Sequence, residues 1–206
     1  EKEKRIMSKV VPIKQVRAKR AADKPTKLYQ IKITLRDSKP PIWRRLLVPS
    51  TIMLSELHLV IQTAMGWTNS HMSEFYTIVK GWSKPGPNED NAHDAQEARL
   101  DQLLKAPKDK CYYTYDFGDN WEHEILLEKI AESNETWPGY PVCVKGVRAC
   151  PPEDCGGIWG YYELLETVNN PRHPEHKEMK EWLGPFDPEA FDLETVNRRL
   201  GRMKVK

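Results

Sequence analysis

No apolar run approaches the roughly 18 residues that a membrane-spanning helix needs, and no basic, apolar, small-residue leader pattern opens the chain. Both absences point to a soluble, cytoplasmic protein. Cysteine is scarce, four in 206 residues. Without a secretion pattern these four read as free thiols or metal ligands rather than disulfides. There is no Gly-x-x-x-x-Gly-Lys-Ser/Thr phosphate loop, no Gly-x-Ser-x-Gly elbow and no dinucleotide fingerprint. Nucleoside-triphosphate hydrolysis, serine-esterase chemistry and nicotinamide binding of the familiar kinds therefore lose their sequence support. An internal repeat and a parallel βαβ rhythm are missing as well.

What is present begins with an uneven distribution of charge. The net charge is only +2, yet residues 1–27 hold ten Lys or Arg against Glu1, Glu3 and Asp23. That segment carries +7, which leaves −5 for the rest of the chain. Residues 1–27 read as a flexible basic arm and residues 28–206 as a single domain. Such an arm suits contact with nucleic acid, although it lacks the aromatics that usually stack on bases. Met7-Ser8-Lys9 reads as a natural start, with six residues ahead of it.

Tyr29, Ile31, Ile33 and Leu35 alternate with Gln30, Lys32 and Thr34, the period of a strand with one wet face. Asp37 to Pro41 has turn chemistry, and Ile42 to Val48 resumes as the second strand of a hairpin. Leu54, Leu57, Ile61, Ala64 and Met65 recur at helical spacing, and Gly66 stands where a left-handed stop belongs. A third strand is expected at Ser73 to Val79, an exposed loop at Lys80 to Ala98 and a short helix at Leu100 to Leu104. A second hairpin pairs Cys111–Phe117 with Trp121–Ile130, and a loop follows over Pro138 to Trp159. Tyr161–Val168, Glu175–Leu183 and Leu193–Leu200 then read as helices. The expected class is α+β, with antiparallel hairpins in a sheet, one central amphipathic helix packed on it and a helical C-terminal third.

The densest chemistry lies in Cys150-Pro151-Pro152-Glu153-Asp154-Cys155-Gly156-Gly157. Two prolines stiffen the approach, two glycines permit positive φ, and two carboxylates sit between them. Several separate motifs accompany this loop: Pro41-Ile42-Trp43-Arg44-Arg45, Leu57-His58 with Met65-Gly66-Trp67, His71 and Phe75, Tyr115-Asp116-Phe117-Gly118-Asp119 with Trp121 and His123, and Gly160-Tyr161. In this order, over about residues 28–200, they resemble the Ri-plasmid "open reading frame three"-like family, also called the passenger protein family of certain insertion elements. The resemblance implies an α+β fold and a prokaryotic, mobile-element origin. The family is functionally uncharacterised, so no catalytic residue comes with it, and the basic arm lies outside it.

Two constellations could carry chemistry. Cys143, Cys150 and Cys155, with His123 as a fourth ligand, are of the right type for zinc, but Cys-x6-Cys-x4-Cys is not the paired spacing of a zinc ribbon. Packed free thiols are the preferred explanation, since cysteine is among the most buried residue types without any metal role. Asp116, Asp119, His123, Glu153 and Asp154, with His58 or His71 beside them, offer oxygen and imidazole ligands for a divalent cation. Each also has a plain structural use: aspartates cap turns, and His123 shares a strand face with Trp121 and Ile125. Cys155 before Gly-Gly could be a thiol activated at a helix N-terminus, though no partner base is identifiable. The preferred reading is a binding or interaction domain rather than an enzyme. Its working surface lies where the 116–123 hairpin meets the 150–157 loop, with Gly156, Gly157 and Tyr161 contributing. The alternatives are a divalent-metal-dependent hydrolase built on the same residues and a nucleic-acid-associated protein acting through the arm. No organic cofactor is implied, and a divalent metal is the one inorganic cofactor these residues would suit.

Overall fold

A computed structural model describes residues 27–77, 98–134 and 137–203, with the backbone of residues 92–93. The arm over residues 1–26 and most of the 80–98 loop lie outside the described residues. The strands are β1 (Lys27–Leu35), β2 (Ile42–Pro49), β3 (Ser73–Tyr76), β4 (Ala92–His93), β5 (Lys110–Tyr115), β6 (Trp121–Glu132) and β7 (Val142–Val147). They form one antiparallel sheet in the order β4-β3-β5-β6-β1-β2-β7. The helices among the described residues are α1 (Leu54–Met65), α2 (Leu100–Leu103), α3 (Gly157–Asn169), α4 (His176–Leu183) and α5 (Leu193–Leu200). The class is α+β, and none of these helices is long and apolar enough to cross a membrane.

Side-chain parity sets the core face of the sheet. Ile31, Ile33 and Leu35 on β1 register with Leu46, Arg44 and Ile42 on β2, and all six are buried. On the other side of β1, Leu35 faces His123 and Ile33 faces Ile125, which in turn face Tyr113 and Cys111 on β5. The α1 residues Leu54, Leu57, Val60, Ile61 and Ala64 join the same apolar cluster. Burial of this stripe from water is what holds a short helix in place. Gly66 ends α1 at φ 103°, and its N–H, like that of Trp67, donates back to the Gln62 carbonyl.

Arg44 occupies a core position yet carries a charge. Its guanidinium donates to the carbonyls of Trp43, Ala64, Val147 and Arg148 and lies 4.2 Å over the Phe191 ring. This single side chain joins β2, the end of α1, the exit of β7 and the segment leading into α5. The Asn197 amide of α5 brackets Cys143 on β7, accepting from its N–H and donating to its carbonyl, both at 2.8 Å.

The expected loop over Pro138 to Trp159 is interrupted by β7 and by the start of α3. Only Cys143 of β7 is buried, and the pairing with β2 slips between Arg45 and Leu46. An edge strand with a bulge has no alternation to read. Helix α3 begins four residues before the expected Tyr161; Gly157 and Gly160 are poor helix formers and hide its first turn from the sequence pattern.

Candidate functional site

One corner of the molecule gathers three irregular segments at the end of the sheet where β5 gives way to β6. The first leaves α1. The Trp67 indole N–H donates to the Pro151 carbonyl at 3.0 Å, and its ring stacks on Tyr115 at 5.0 Å. Ser70 N–H donates to the Tyr115 hydroxyl, and Asp116 N–H donates to the Met72 carbonyl, both at 2.9 Å. Residues 67–72 are thereby strapped across the end of β5, and His71 stands edge-on to the Tyr115 ring at 5.7 Å.

The second segment is the turn between β5 and β6. Asp116 and Asn120 sit at φ 57° and 55°, in the left-handed region. Aspartate and asparagine tolerate this better than other side chains. Asp116 Oδ1 accepts from Gly118 N–H at 2.9 Å and Asp119 N–H at 3.3 Å, a local turn bond that fixes the carboxylate. The other oxygen, Oδ2, faces His71 Nε2 at 3.5 Å.

The third segment is the Cys-Pro-Pro loop. Asp154, Gly156 and Gly157 have φ of 60°, 87° and 69°. Asp119 Oδ2 accepts from Gly156 N–H at 3.3 Å, and a Cβ on Gly157 would come within 2.3 Å of the Asp119 carbonyl oxygen. Gly157 is therefore required twice over, for its φ and for the close approach that docks the loop on the turn.

The two adjacent carboxylates of the loop do different work. Glu153 is saturated: Oε1 accepts from the Tyr115 hydroxyl at 2.5 Å, and Oε2 accepts from Thr68 N–H at 3.1 Å and Thr68 Oγ1 at 2.6 Å. Burial, and then the bond to Glu153, push the Tyr115 phenol up to about 12, so it stays protonated and donates. Asp154 is 71 % exposed in its side chain, with Oδ1 3.2 Å from His71 Nε2. His71, Asp116 and Asp154 each present a ligand atom, and the three atoms lie within 4.8 Å of one another. A cation held at about 2.1 Å from each of three ligands brings them roughly 3.0–3.5 Å apart, a spacing that the two His71 distances of 3.5 and 3.2 Å already match.

The remaining candidates lie elsewhere. His123 is wholly buried on β6, its ring edge-on to Trp67 at 5.3 Å and its Nδ1 3.3 Å from the Tyr113 carbonyl. Burial holds it down at about 4, and so neutral. His58 is tied to the Tyr113 hydroxyl at 2.7 Å and the Asn69 amide oxygen at 2.6 Å, a polar brace beneath the 67–72 segment. Tyr161 is buried, with Tyr162 and Phe186 as ring neighbours. Among the described residues, Cys143, Cys150, Cys155 and His123 do not form a group of converging ligand atoms. Cys143 is bound into β7, while Cys150 and Cys155 sit at the two ends of the Pro-Pro-Glu-Asp stretch. The Cys155 thiol is pushed up to about 12, by burial first and then by Asp119, which opposes its activation as a nucleophile.

Sequence reasoning ranked His71 as an accessory to His123, and it missed Trp67, Thr68 and Tyr115 as the braces of the corner. The usable signal was parity: His123 shares the core face of β6, whereas His71 belongs to no periodic element. Exposed apolar side chains flank the corner in sequence. Met72 follows His71, Phe117 follows Asp116, and Trp159, which is 78 % exposed, opens α3.

Residues 27–195 match the family described as "Plasmid pRiA4b ORF-3-like protein". The chain is 39 % identical over 185 residues to "Uncharacterized protein y4hQ" of Sinorhizobium fredii (strain NBRC 101917 / NGR234), covering 87 % of this chain and 93 % of that relative. A crystal structure of a protein of unknown function, MM3350 from Methanosarcina mazei Go1, is 37 % identical with a TM-score of 0.71, covering 82 % of this chain and 96 % of the other.

Proposed function

We propose that this chain, which belongs to the plasmid pRiA4b ORF-3-like family, is a binding domain whose working site is the corner formed by residues 67–72, 116–120 and 150–157. In this reading a divalent cation is held by His71 Nε2, Asp116 Oδ2 and an Asp154 oxygen. The convergence of these three ligand atoms within 4.8 Å is the observation that carries it. Two carboxylates and one imidazole favour ions of intermediate hardness, such as Mn²⁺ or Zn²⁺. Asp119, Gly156 and Gly157 hold the loop on the turn, and Glu153 locks Asp154 beside His71. The helix α1 is the central support, since it sets where the 67–72 segment begins.

A metal-dependent hydrolase is the second reading, favoured by one feature. Three protein ligands with an outward-facing Asp154 leave coordination positions for water and substrate, and a cation would lower the pKa of such a water. The basic arm as a nucleic-acid contact remains a separate proposal that this corner neither needs nor supports.

The test is calorimetric titration of chelator-stripped full chain with Mn²⁺ and with Zn²⁺. One ion per chain is expected, with affinity falling tenfold or more in His71→Ala and in Asp116→Asn. Undiminished binding in both variants, or no binding by the parent, would remove the site. Turnover of phosphate or carboxylic esters by the metal-loaded parent, lost in Asp116→Asn, would favour the hydrolase.

A further inference from the structure

Next to this corner a cavity of about 370 Å³ opens between α3 and α4. Its walls follow helical spacing: Glu163 and Leu164 face it from α3, while Glu175, Met179 and Trp182 face it from the start and body of α4. No residue of α4 is buried, and Trp182 remains 50 % exposed. Helix α1 is sealed on the core along a full stripe, whereas α4 packs beside α3 with part of its apolar side uncovered. The chemistry of the lining is uneven. Leu164, Met179 and Trp182 supply apolar surface, and Asp154, Glu163 and Glu175 supply three carboxylates. Among the described residues, no Lys, Arg or His lines the cavity.

That combination selects among ligands. An anion would meet three like charges, and a plain hydrocarbon would strip water from carboxylates without pairing them. A cation on an apolar stem satisfies both halves of the lining. We propose that the groove between α3 and α4 binds a basic peptide segment of a partner protein. A Lys or Arg side chain would lay its alkyl stem against Leu164 and Met179 and set its charge between Glu163 and Glu175. Lysine and arginine carry this apolar stem and polar head in one side chain. Trp182 offers a ring face to the cation. The volume admits one or two such side chains, and the acidic lining would steer a basic partner toward the groove. Only Asp154 is shared with the cation centre, so the inference goes beyond the reading of that corner and does not depend on it.

The experiment uses the full chain in chelator, which silences the His71 centre. The probe is a fluorescent eight-residue Gly/Ser peptide carrying two lysines, compared with the same peptide carrying two glutamates. Saturable binding of the lysine peptide is expected, with none of the glutamate peptide. Affinity should weaken at least tenfold in the double variant Glu163→Lys/Glu175→Lys and severalfold in Trp182→Ala. All three side chains are exposed, so melting temperature should stay near that of the parent and a loss of binding is not a loss of fold. The proposal is overturned if the lysine peptide does not bind, if both peptides bind equally, or if the charge reversal leaves binding unchanged. Asp116→Asn, which tests the cation centre, should leave peptide binding intact.

Discussion

Arg44 and His71 each sit among charge, but they are provided for in opposite ways. Arg44, 2 % exposed, takes a cation into the core, and its hydrogen bonds go to four backbone carbonyls rather than to an acid. His71 sits at the surface between Asp116 and Asp154, and among the described residues no Lys or Arg pairs with those carboxylates. A structural charge in this protein is saturated by its surroundings. Among the described residues, Asp116 Oδ2 and Asp154 Oδ1 meet only the imidazole of His71. Glu153, next in sequence to Asp154, belongs with Arg44 by this criterion, since Tyr115 and Thr68 use both its oxygens. Saturation, rather than burial or sign, separates scaffold from candidate site.

The largest test of this contrast is Arg44→Met. It removes the charge but leaves the carbonyls of Ala64, Val147 and Arg148 without their donor, and Phe191 without the guanidinium above it. A loss of about 3–5 kcal/mol in urea unfolding is expected, because each stranded buried acceptor costs on the order of 1–3 kcal/mol. A loss below about 1 kcal/mol would mean that the carbonyl cage is not what holds these elements together.

His123 offers the next largest effect, through pH. Its native pKa of about 4 lies below the ordinary imidazole value of 6.5, so the folded protein resists a proton that the unfolded chain accepts. Stability is fully present above pH 6.5 and falls as pH drops from there toward 4, by roughly 3 kcal/mol at the limit. His58 is lowered by burial too and adds to the same slope. Comparing urea midpoints of the parent and His123→Leu at pH 7.5 and pH 5 isolates the effect. The variant should lose much of the acid sensitivity, and an equally steep fall in both would place the titration elsewhere.

Much of this contrast was hidden in the sequence, for physical reasons. Alternation in β1 and β6 and the stripe of α1 were legible because periodic burial writes itself into residue order. The same parity assigned His123 to the core face beside Trp121 and Ile125. It had nothing to say about His71, whose direction is set by Trp67 bonding Pro151 and by Ser70 bonding Tyr115, contacts 84 and 45 residues apart. Nor could it divide Glu153 from Asp154. Adjacent residues in a non-periodic turn look alike until a distant Thr68 claims one of them. The strand β7 escaped for a related reason, since a bulged edge strand with one buried residue carries no alternation.

Glu153→Gln sharpens the comparison at the loop itself. A glutamine keeps one acceptor but turns an NH₂ toward Tyr115 or Thr68, both of which donate. The loss should be about 1.5–3 kcal/mol, the range for hydrogen bonds to a charged group. Because Glu153 clamps the loop rather than contacting the cation in the proposed site, Mn²⁺ affinity in this variant should fall less than in Asp116→Asn. A Glu153→Gln protein as stable as the parent would show that the clamp contributes nothing.

The smallest effect on the fold, and the most discriminating for the site, belongs to Asp154→Asn. The side chain is largely exposed and accepts no hydrogen bond from the loop, so the change should move stability by no more than about 0.5 kcal/mol. Relief of repulsion with Asp116 would make the sign slightly positive. In the parent, an ion at 100 times its dissociation constant stabilises the native state by about 2.7 kcal/mol. For a chain of this size that is a rise in melting temperature of roughly 5–10 °C. Asp154→Asn should lose most of that rise while its ion-free melting temperature stays near that of the parent. Thermal melts of both proteins, with and without Mn²⁺, separate the cases. An ion-dependent shift retained in full by Asp154→Asn would take this aspartate out of the ligand set. No shift in the parent, together with a destabilised variant, would make Asp154 a second structural carboxylate like Glu153, and the contrast with Arg44 would then fail at the corner that defines it.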